Sequence, residues 1–301
     1  MLYENLSAKE KRVGLRSRLA KGELLQFPGA FNPLSARLIE RQDFDGVYVS
    51  GAVMSAELGL PDSGLTTLSE VRLRAEQISR MTALPTLVDA DTGFGEAMNL
   101  ARTVQELEAA GVSAIHIEDQ VNPKRCGHLD GKAVVDQSTA IQRISAAVNA
   151  RIDESLMIMA RTDMRATDGL DAAIERMRAL EKAGADLLFP EALTSLEEYR
   201  IVKSATKVPI LANMTEFGKT ELFSKAQLAE VGVSIIIYPV SLLRSAMGSA
   251  ERTLRAIKRD GTQLSEVEQM QTRAELYELL DYQAYEGFDK KVFNQGLSDQ
   301  S

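Results

Sequence analysis

Apolar residues fall into two alternating patterns along the chain. Short runs rich in β-branched residues recur eight times, at 24–29, 46–51, 85–89, 114–118, 156–161, 187–190, 208–213 and 234–238. Runs of that length bounded by turn residues predict buried strands. Between them lie longer segments with apolar residues at i, i+3, i+4 spacing, the period of an amphipathic helix. In 98–110 the stripe is Leu100, Val104, Leu107 and Ala110; in 171–183 it is Ala173, Ile174, Met177 and Leu180. Gly111, Gly184 and Gly232 stand where such helices should stop.

Eight strand–helix alternations predict an α/β protein with a parallel sheet and helical crossovers. A closed (β/α)8 TIM barrel takes roughly 250 residues, and this chain has 301. The remainder divides into an N-terminal helix at 7–21 and a C-terminal helical tail from about 262. No linker, low-complexity stretch or charge block interrupts it, so 1–301 reads as one barrel domain with its tail. An open doubly wound sheet is the alternative.

Composition narrows the function classes. Lys and Arg number 35 against 43 Asp and Glu, a net charge of −8, which disfavours a nucleic-acid binder. One cysteine, Cys126, excludes an intrachain disulfide and any multi-cysteine metal site. The N-terminus lacks a signal-peptide core, and the most apolar stretch, 234–243, is too short to span a bilayer and contains Pro239. The expectation is a cytoplasmic protein with no membrane association.

Barrel enzymes carry their chemistry where strands end, and the predicted strands end in polar residues. These ends include Ser50-Gly51, Asp89-Ala-Asp91, Glu118-Asp-Gln120, Arg161-Thr-Asp163, Glu191, Asn213-Met-Thr-Glu216 and Ser241, with Arg244 just beyond. Asp89 and Asp91 are spaced i, i+2, which in a strand puts both carboxylates on one face. They repel unless a cation or shared proton intervenes, so a hard divalent ion is one reading. A helix N-cap at Asp91 is the other.

Cys126 sits in the segment Asn122-Pro-Lys-Arg-Cys-Gly-His-Leu-Asp-Gly-Lys132. That composition predicts an exposed, mobile loop in which Lys124, Arg125 and His128 favour the thiolate. Cys126 is there a candidate acid, base or nucleophile, against the plainer reading of a small buried hydrophobe. His116, inside an apolar strand, reads as a core residue. Arg161, Arg244 and Arg273 are candidate clamps for carboxylates.

Lys124-Arg-Cys-Gly-His128 resembles the signature of the isocitrate lyase and phosphoenolpyruvate mutase superfamily, in particular its methylisocitrate-cleaving branch. The resemblance runs from about Leu15 to Phe293. It includes Gly59-Leu-Pro-Asp62, Leu87-Val-Asp-Ala-Asp-Thr-Gly-Phe-Gly95, Ile117-Glu-Asp-Gln120, Ile158-Met-Ala-Arg-Thr-Asp163, Leu188-Phe-Pro-Glu-Ala192, Asn213-Met-Thr-Glu-Phe-Gly218 and Met270-Gln-Thr-Arg273. It implies a barrel whose last helix swaps onto a neighbouring subunit of a homotetramer. It implies Mg2+, with Mn2+ as the alternative, held by Asp91 and Asp89, with Asp62 and Glu118 reached through waters. It implies a di- or tricarboxylate substrate contacted by Ser50, Gly51, Ala52, Gly127, Arg161, Glu191, Asn213, Met214, Thr215, Arg244 and Arg273. Phe189, Ile237 and Pro239 would form a niche for a substrate methyl group, and Cys126 would be the catalytic acid.

The activity it implies is retro-aldol cleavage of 2-methylisocitrate to pyruvate and succinate, in propionate catabolism. The alternatives are 2,3-dimethylmalate or a related acid as substrate, or, remotely, a non-catalytic metabolite binder. Ala52 departs from a frequent glycine in the resembling enzymes, and Leu129-Asp-Gly-Lys132 departs from some of them at the loop tip.

Overall fold

A computed structural model describes residues 6–125, 127, 131–218 and 220–298. Each of the eight apolar runs forms a strand: β1 Leu25–Pro28, β2 Val47–Val49, β3 Thr86–Asp89, β4 Ala114–Glu118, β5 Met157–Thr162, β6 Leu187–Pro190, β7 Leu211–Asn213 and β8 Ile235–Tyr238. All ladders are parallel. One runs β2-β3-β4-β5-β6 and the other β1-β8-β7. Two parallel bridges, Gly29 with Tyr48 and Leu188 with Ile210, join the ladders and close the ring. The closed eight-stranded barrel is therefore the architecture, and the open sheet is excluded.

Strand periodicity sorts the side chains into two cores. Leu25, Phe27, Tyr48, Leu87, Ala114, Met157, Met159, Leu187, Phe189, Leu211, Ile235 and Ile237 point inward and form one cluster. The residues between them, such as Val88, Ile115, Ile117, Ile158, Leu188 and Ile236, pack outward in the cluster that includes the helices' apolar stripes. Leu100, Val104 and Leu107 of the helix Ala97–Ala109 are buried there, as are Ala173, Ile174, Met177 and Leu180 of Leu170–Lys182.

The bottom of the barrel is sealed by α1, Ala8–Ala20. Leu15 and Leu19 join the inner cluster, each contributing about 1.5–3 kcal/mol if fully buried. A Ser7–Glu10 capping box starts the helix. Lys11 Nζ donates to the carbonyls of Ser79 (2.8 Å) and Thr82 (2.6 Å), and Arg12 Nε donates to that of Val112 at 2.8 Å. With the bottom plugged, inward positions one step further along the strands are left for polar groups at the top.

Residues 244–298 form a second compact unit, apart from Leu6–Leu243. It carries most of the helix Ser241–Asp260, a 3-10 turn at Leu264–Gln269, and the helices Arg273–Leu279 and Tyr282–Ser298. Thr272 caps the first of these two helices through a reciprocal pairing with Glu275. Arg273 is its first residue and is exposed. Among the described residues no helix is long and apolar enough to cross a membrane.

Gly29 marks the tightest closure of the ring. A Cβ there would lie 2.0 Å from the Pro239 carbonyl oxygen, which is backbone and cannot swing away. Gly29→Ala should therefore destabilise the protein by about 1–3 kcal/mol or more in a denaturant titration. Gly14→Ala, in α1 with nothing within 4 Å of the added methyl, should instead stabilise it by up to about 1 kcal/mol.

Candidate active site

The inward-facing positions turn polar as each strand reaches its C-terminal end. Leu87 is followed two residues later by Asp89, Ala114 by His116 and then Glu118, Met159 by Arg161, Phe189 by Glu191, and Leu211 by Asn213. The alternation that builds the apolar core below therefore delivers buried charged groups above it. Asp89, Glu118, Arg161 and Glu191 are all buried.

Asp89 Oδ1 accepts the backbone N–H of Asp91 at 3.0 Å, and Asp89 Oδ2 accepts that of Gly51 at 3.1 Å. Gly51 opens a helix at Gly51–Glu57, so its amide presents the positive end of that helix to the carboxylate. A Cβ on Gly51 would stand 2.9 Å from Asp89 Oδ2 and 3.2 Å from Asp91 Oδ1, so a side chain there would have to displace the Asp89 carboxylate. Ser50 is the N-cap of the same helix and is buried, without a capping side-chain bond. Asp91 lies beyond β3 with φ +48°, in the left-handed region, and Gly93, Phe94 and Gly95 are also at positive φ. This tight turn aims Asp91 back over the barrel mouth and excludes the reading of Asp91 as a helix cap: the next helix begins at Ala97, with Glu96 at its N-cap.

Lys124 corrects an expectation. It was expected to be exposed beside Cys126, and it is buried instead, its ammonium lying between Asp62 and Asp91. The separation from Asp91 Oδ1 is 2.8 Å. The cause is electrostatic, because the paired aspartates attract a cation and Lys124 is within reach. Burial, then Asp89, push the Asp91 carboxyl up to about 6. Burial acts to raise Asp89 as well, but the positive groups around it hold it at about 2. Since burial lowers His116 to about 4 and leaves it neutral, the lasting cations facing Asp89 are Lys124 and Arg161.

Arg161 is the second pole. Its Nε lies 3.3 Å from Glu118 Oε2 and 3.1 Å from Asp163 Oδ2, and Nη2 lies 3.3 Å from Glu191 Oε2. Its guanidinium also sits 5.1 Å from the centroid of the Phe189 ring. Burial opposes its charge, but Asp163 and Glu118 outweigh that and keep it cationic. Burial pushes Glu118 well above the usual carboxylate range despite Arg161, and among the described residues Glu118 Oε1 has no hydrogen-bond partner. Behind this pole, Asp119 accepts from Thr162 Oγ1 at 2.6 Å and the Asp163 amide at 3.0 Å, and pairs with Arg176 Nη1 at 3.0 Å. Asp119, Thr162 and Asp163 belong to the polar strand ends read from the sequence but were given no role of their own there, and Arg176 was not singled out. Only the Glu-Asp step after β4 hinted that one acid faces in and the next out.

A small cavity joins the two poles. It is lined by Ala52, Asp62, Asp89, Lys124, Gly127, Arg161, Glu191, Asn213 and Thr215, with Tyr48, Phe189, Ile237 and Pro239 among its apolar walls. Most of the expected substrate and methyl-niche positions thus meet. Met214 does not: its side chain belongs to the outer core and its sulfur accepts the Phe223 amide at 3.3 Å. It follows Asn213 by one position, which turns it to the other face. A larger cleft of about 730 Å3 opens beside Asp91, lined by Thr66, Asn99, Arg102 and Asn122 among others. His116 is in the core as expected, yet it faces inward and shares a 2.7 Å hydrogen bond with the Tyr48 hydroxyl.

Cys126 and His128 lie outside the described residues, as do Leu129 and Asp130. Gly127 is described and buried, and Arg125 is exposed. The Arg125 backbone is clamped by Gln120, whose side chain accepts its N–H and donates to its carbonyl, both at 2.9 Å. Arg244 belongs with Arg273 to the second compact unit.

The donor set suits a hard divalent cation. The candidate ligands are carboxylate oxygens, an ammonium already stands between Asp62 and Asp91, and Glu118 Oε1 has no hydrogen-bond partner among the described residues. Among the described residues no three His, Cys, Asp or Glu side chains are grouped to hold an ion by themselves. An ion here would therefore keep several waters, as Mg2+ does.

Comparison with known proteins gives a consistent result. A family model described as phosphoenolpyruvate phosphomutase matches residues 15–258. "Probable 2-methylisocitrate lyase 2" of Corynebacterium glutamicum is 56% identical, over 94% of this chain and 92% of its own. A crystal structure of 2,3-dimethylmalate lyase, a member of the phosphoenolpyruvate mutase and isocitrate lyase superfamily, superposes with a TM-score of 0.87 at 36% identity, covering 96% of each chain. A phosphonopyruvate hydrolase in complex with oxalate and Mg2+ superposes with a TM-score of 0.85 at 29% identity, covering 95% of this chain and 99% of its own.

The Asp119–Arg176 pair supports the cationic pole from behind, at 2% and 3% exposure of the two side chains. Arg176→Met leaves Asp119 buried without its partner cation and should lower stability by about 3–5 kcal/mol in a denaturant titration. Adding Asp119→Asn to that variant should recover part of the loss.

Proposed function

The chain belongs to the phosphoenolpyruvate phosphomutase family, and from that premise we propose that it is a lyase that splits 2-methylisocitrate into pyruvate and succinate. The observation that carries this reading is the two-pole mouth. Asp89 at the end of β3, with Asp62, and a guanidinium at the end of β5 share one cavity with an apolar wall of Phe189, Ile237 and Pro239. A substrate with a hydroxy-carboxylate at one end, further carboxylates at the other and a methyl group between them has the matching chemistry.

Mg2+, or Mn2+ in its place, would be held by Asp91 and Asp89, with Asp62 and Glu118 reached through waters, and would supply Lewis-acid polarisation of the hydroxyl that becomes the pyruvate carbonyl. The protein's own groups do the rest. The hydroxyl gives up its proton to a base, for which Tyr48 and Glu191 of the cavity wall are the candidates, and the bond between the carbinol carbon and its neighbour breaks. The electron pair passes to the succinate half as an aci-carboxylate. Arg161 and Asn213 present donors to the carboxylate where that charge collects. The Cys126 thiol then delivers a proton to the carbanion carbon, since a thiol loses and regains a proton near working pH. Gly51 and Ser50 place a helix N-terminus beside Asp89 and keep that pole fixed.

The same reading extends to assembly. Tyr285, Phe288 and Val292 on the helix Tyr282–Ser298 are 42%, 53% and 50% exposed, an apolar surface suited to exchange between copies in a cytoplasmic homotetramer. Light scattering on the purified protein tests it, and a monomer would overturn it.

The decisive experiment incubates the protein and Mg2+ with 2-methylisocitrate, isocitrate, 2,3-dimethylmalate and oxaloacetate separately. Pyruvate and succinate should form from 2-methylisocitrate and stop with a chelator. Isocitrate leaves the methyl niche empty, worth about 1–3 kcal/mol, and should react roughly 10- to 200-fold more slowly. Faster turnover of 2,3-dimethylmalate would move the assignment to that acid, and no turnover of any would overturn it. Cys126→Ser should keep Mg2+ and substrate binding and lose about 100- to 10,000-fold in kcat.

A further inference from the structure

Lys132 lies beside the site with its side chain buried, and the mechanism above does not use it. Its side chain is 2% exposed. Its ammonium donates to Asp163 Oδ1 at 2.6 Å and also to the carbonyl of Gly127. These acceptors come from different parts of the chain, one from the residue after β5 and one from the segment that carries Cys126. Asp163 is wholly buried, and the same carboxylate takes Arg161 through Oδ2 at 3.1 Å and Oδ1 at 3.3 Å. Gly127 in turn lies against Arg161: a Cβ on it would stand 2.5 Å from Arg161 Nη2 and 2.7 Å from Glu191 Cγ. The contacts close a ring, from the Gly127 carbonyl through Lys132, Asp163 and Arg161 back to the Gly127 backbone.

A buried ammonium is expensive unless its charge is used, and packing alone would be met by methionine. Here the charge has two consequences. It neutralises Asp163, which otherwise leaves Arg161 held among Asp163, Glu118 and Glu191 with little positive charge to offer a ligand. It also fixes the backbone one residue from Cys126 against the same guanidinium. We propose that Lys132 is a positioning residue that ties the Gly127 carbonyl to the Asp163–Arg161 pair, setting the thiol-bearing segment and the carboxylate-binding guanidinium in one geometry. This rests on the lyase reading of the site given above.

The test compares the full-length protein with Lys132→Met and Lys132→Gln. Glutamine can still donate to the Gly127 carbonyl but cannot neutralise Asp163. The readouts are melting temperature, kcat and KM on 2-methylisocitrate with Mg2+, and the rate at which iodoacetamide alkylates the protein with and without Mg2+ and oxalate. Cys126 is the only thiol, so alkylation reports on it alone. In the unsubstituted protein, Mg2+ and oxalate should slow alkylation. In a variant that melts within a few degrees of it, kcat should fall by about 100-fold, the size expected of misplaced reacting groups. KM should change less, and oxalate should no longer protect the thiol. If either folded variant keeps its kcat and its oxalate protection, the proposal is overturned. If the unsubstituted protein cleaves none of the acids, the lyase reading fails instead, and loss or retention of oxalate protection still decides the role of Lys132.

Discussion

Carboxylates buried close together govern this molecule. Asp89, Asp91, Glu118, Asp163 and Glu191 are each no more than 5% exposed, all at one end of the barrel. Removing that many acids from water is costly, and their mutual repulsion in a poorly polarisable interior adds to the cost. Every cation nearby is placed to offset it: Lys124 at Asp62 and Asp91, Lys132 at Asp163, Arg161 among three acids and Arg176 at Asp119. The remaining stress appears as an Asp91 carboxyl raised to about 6 and a Glu118 raised well beyond its usual range. A divalent cation held there, as proposed above, would relieve that stress.

The scaffold tolerates this because its two ends differ. At the bottom, Leu15 and Leu19 of α1 and the first inward residues of the strands make an uninterrupted apolar plug. At the top, the same two-residue period leads to acids and an arginine. The rigid lower layers fix the strand directions, and the strand directions fix where the charged groups meet. Backbone strain is concentrated in the same place, in the turn from Asp91 to Gly95, where four of five residues have positive φ. Positive φ at Asp91 and Phe94 needs surrounding structure to hold it. Between them Leu100 packs against Gly93, its Cδ1 2.6 Å from where a Cβ on Gly93 would stand.

The strands were legible in the chain because eight apolar runs and their glycine stops are local signals. Each observed strand falls within two or three residues of its expected ends, as with 24–29 against Leu25–Pro28 and 208–213 against Leu211–Asn213. The inward-facing acids were legible for the same reason, since the period of two is local. What the chain does not display is where a long side chain goes once the barrel has closed. Lys124 reads as a solvated loop residue, and only the field of Asp62 and Asp91 turns it inward. Asp119 and Arg176 are 57 residues apart, and nothing local links them. Met214 was grouped with its neighbours although it faces the other core, a strand-parity distinction that family resemblance does not carry.

On the proposed reading, the two poles would let a single fold position serve several acids. The pole on β3 would take what those substrates share, an oxygen that becomes or already is a carbonyl, next to a carboxylate. The pole on β5 and the apolar wall of Phe189, Ile237 and Pro239 would meet the part that varies. Changes in Phe189, Ile237 or Pro239 would alter which acid fits, and they leave Asp89, Asp91 and Arg161 where they are, because those side chains are fixed by strand register and by the pairs behind them. On that reading substrate choice and bond cleavage would be set by different residues on different strands, and the first could change without loss of the second.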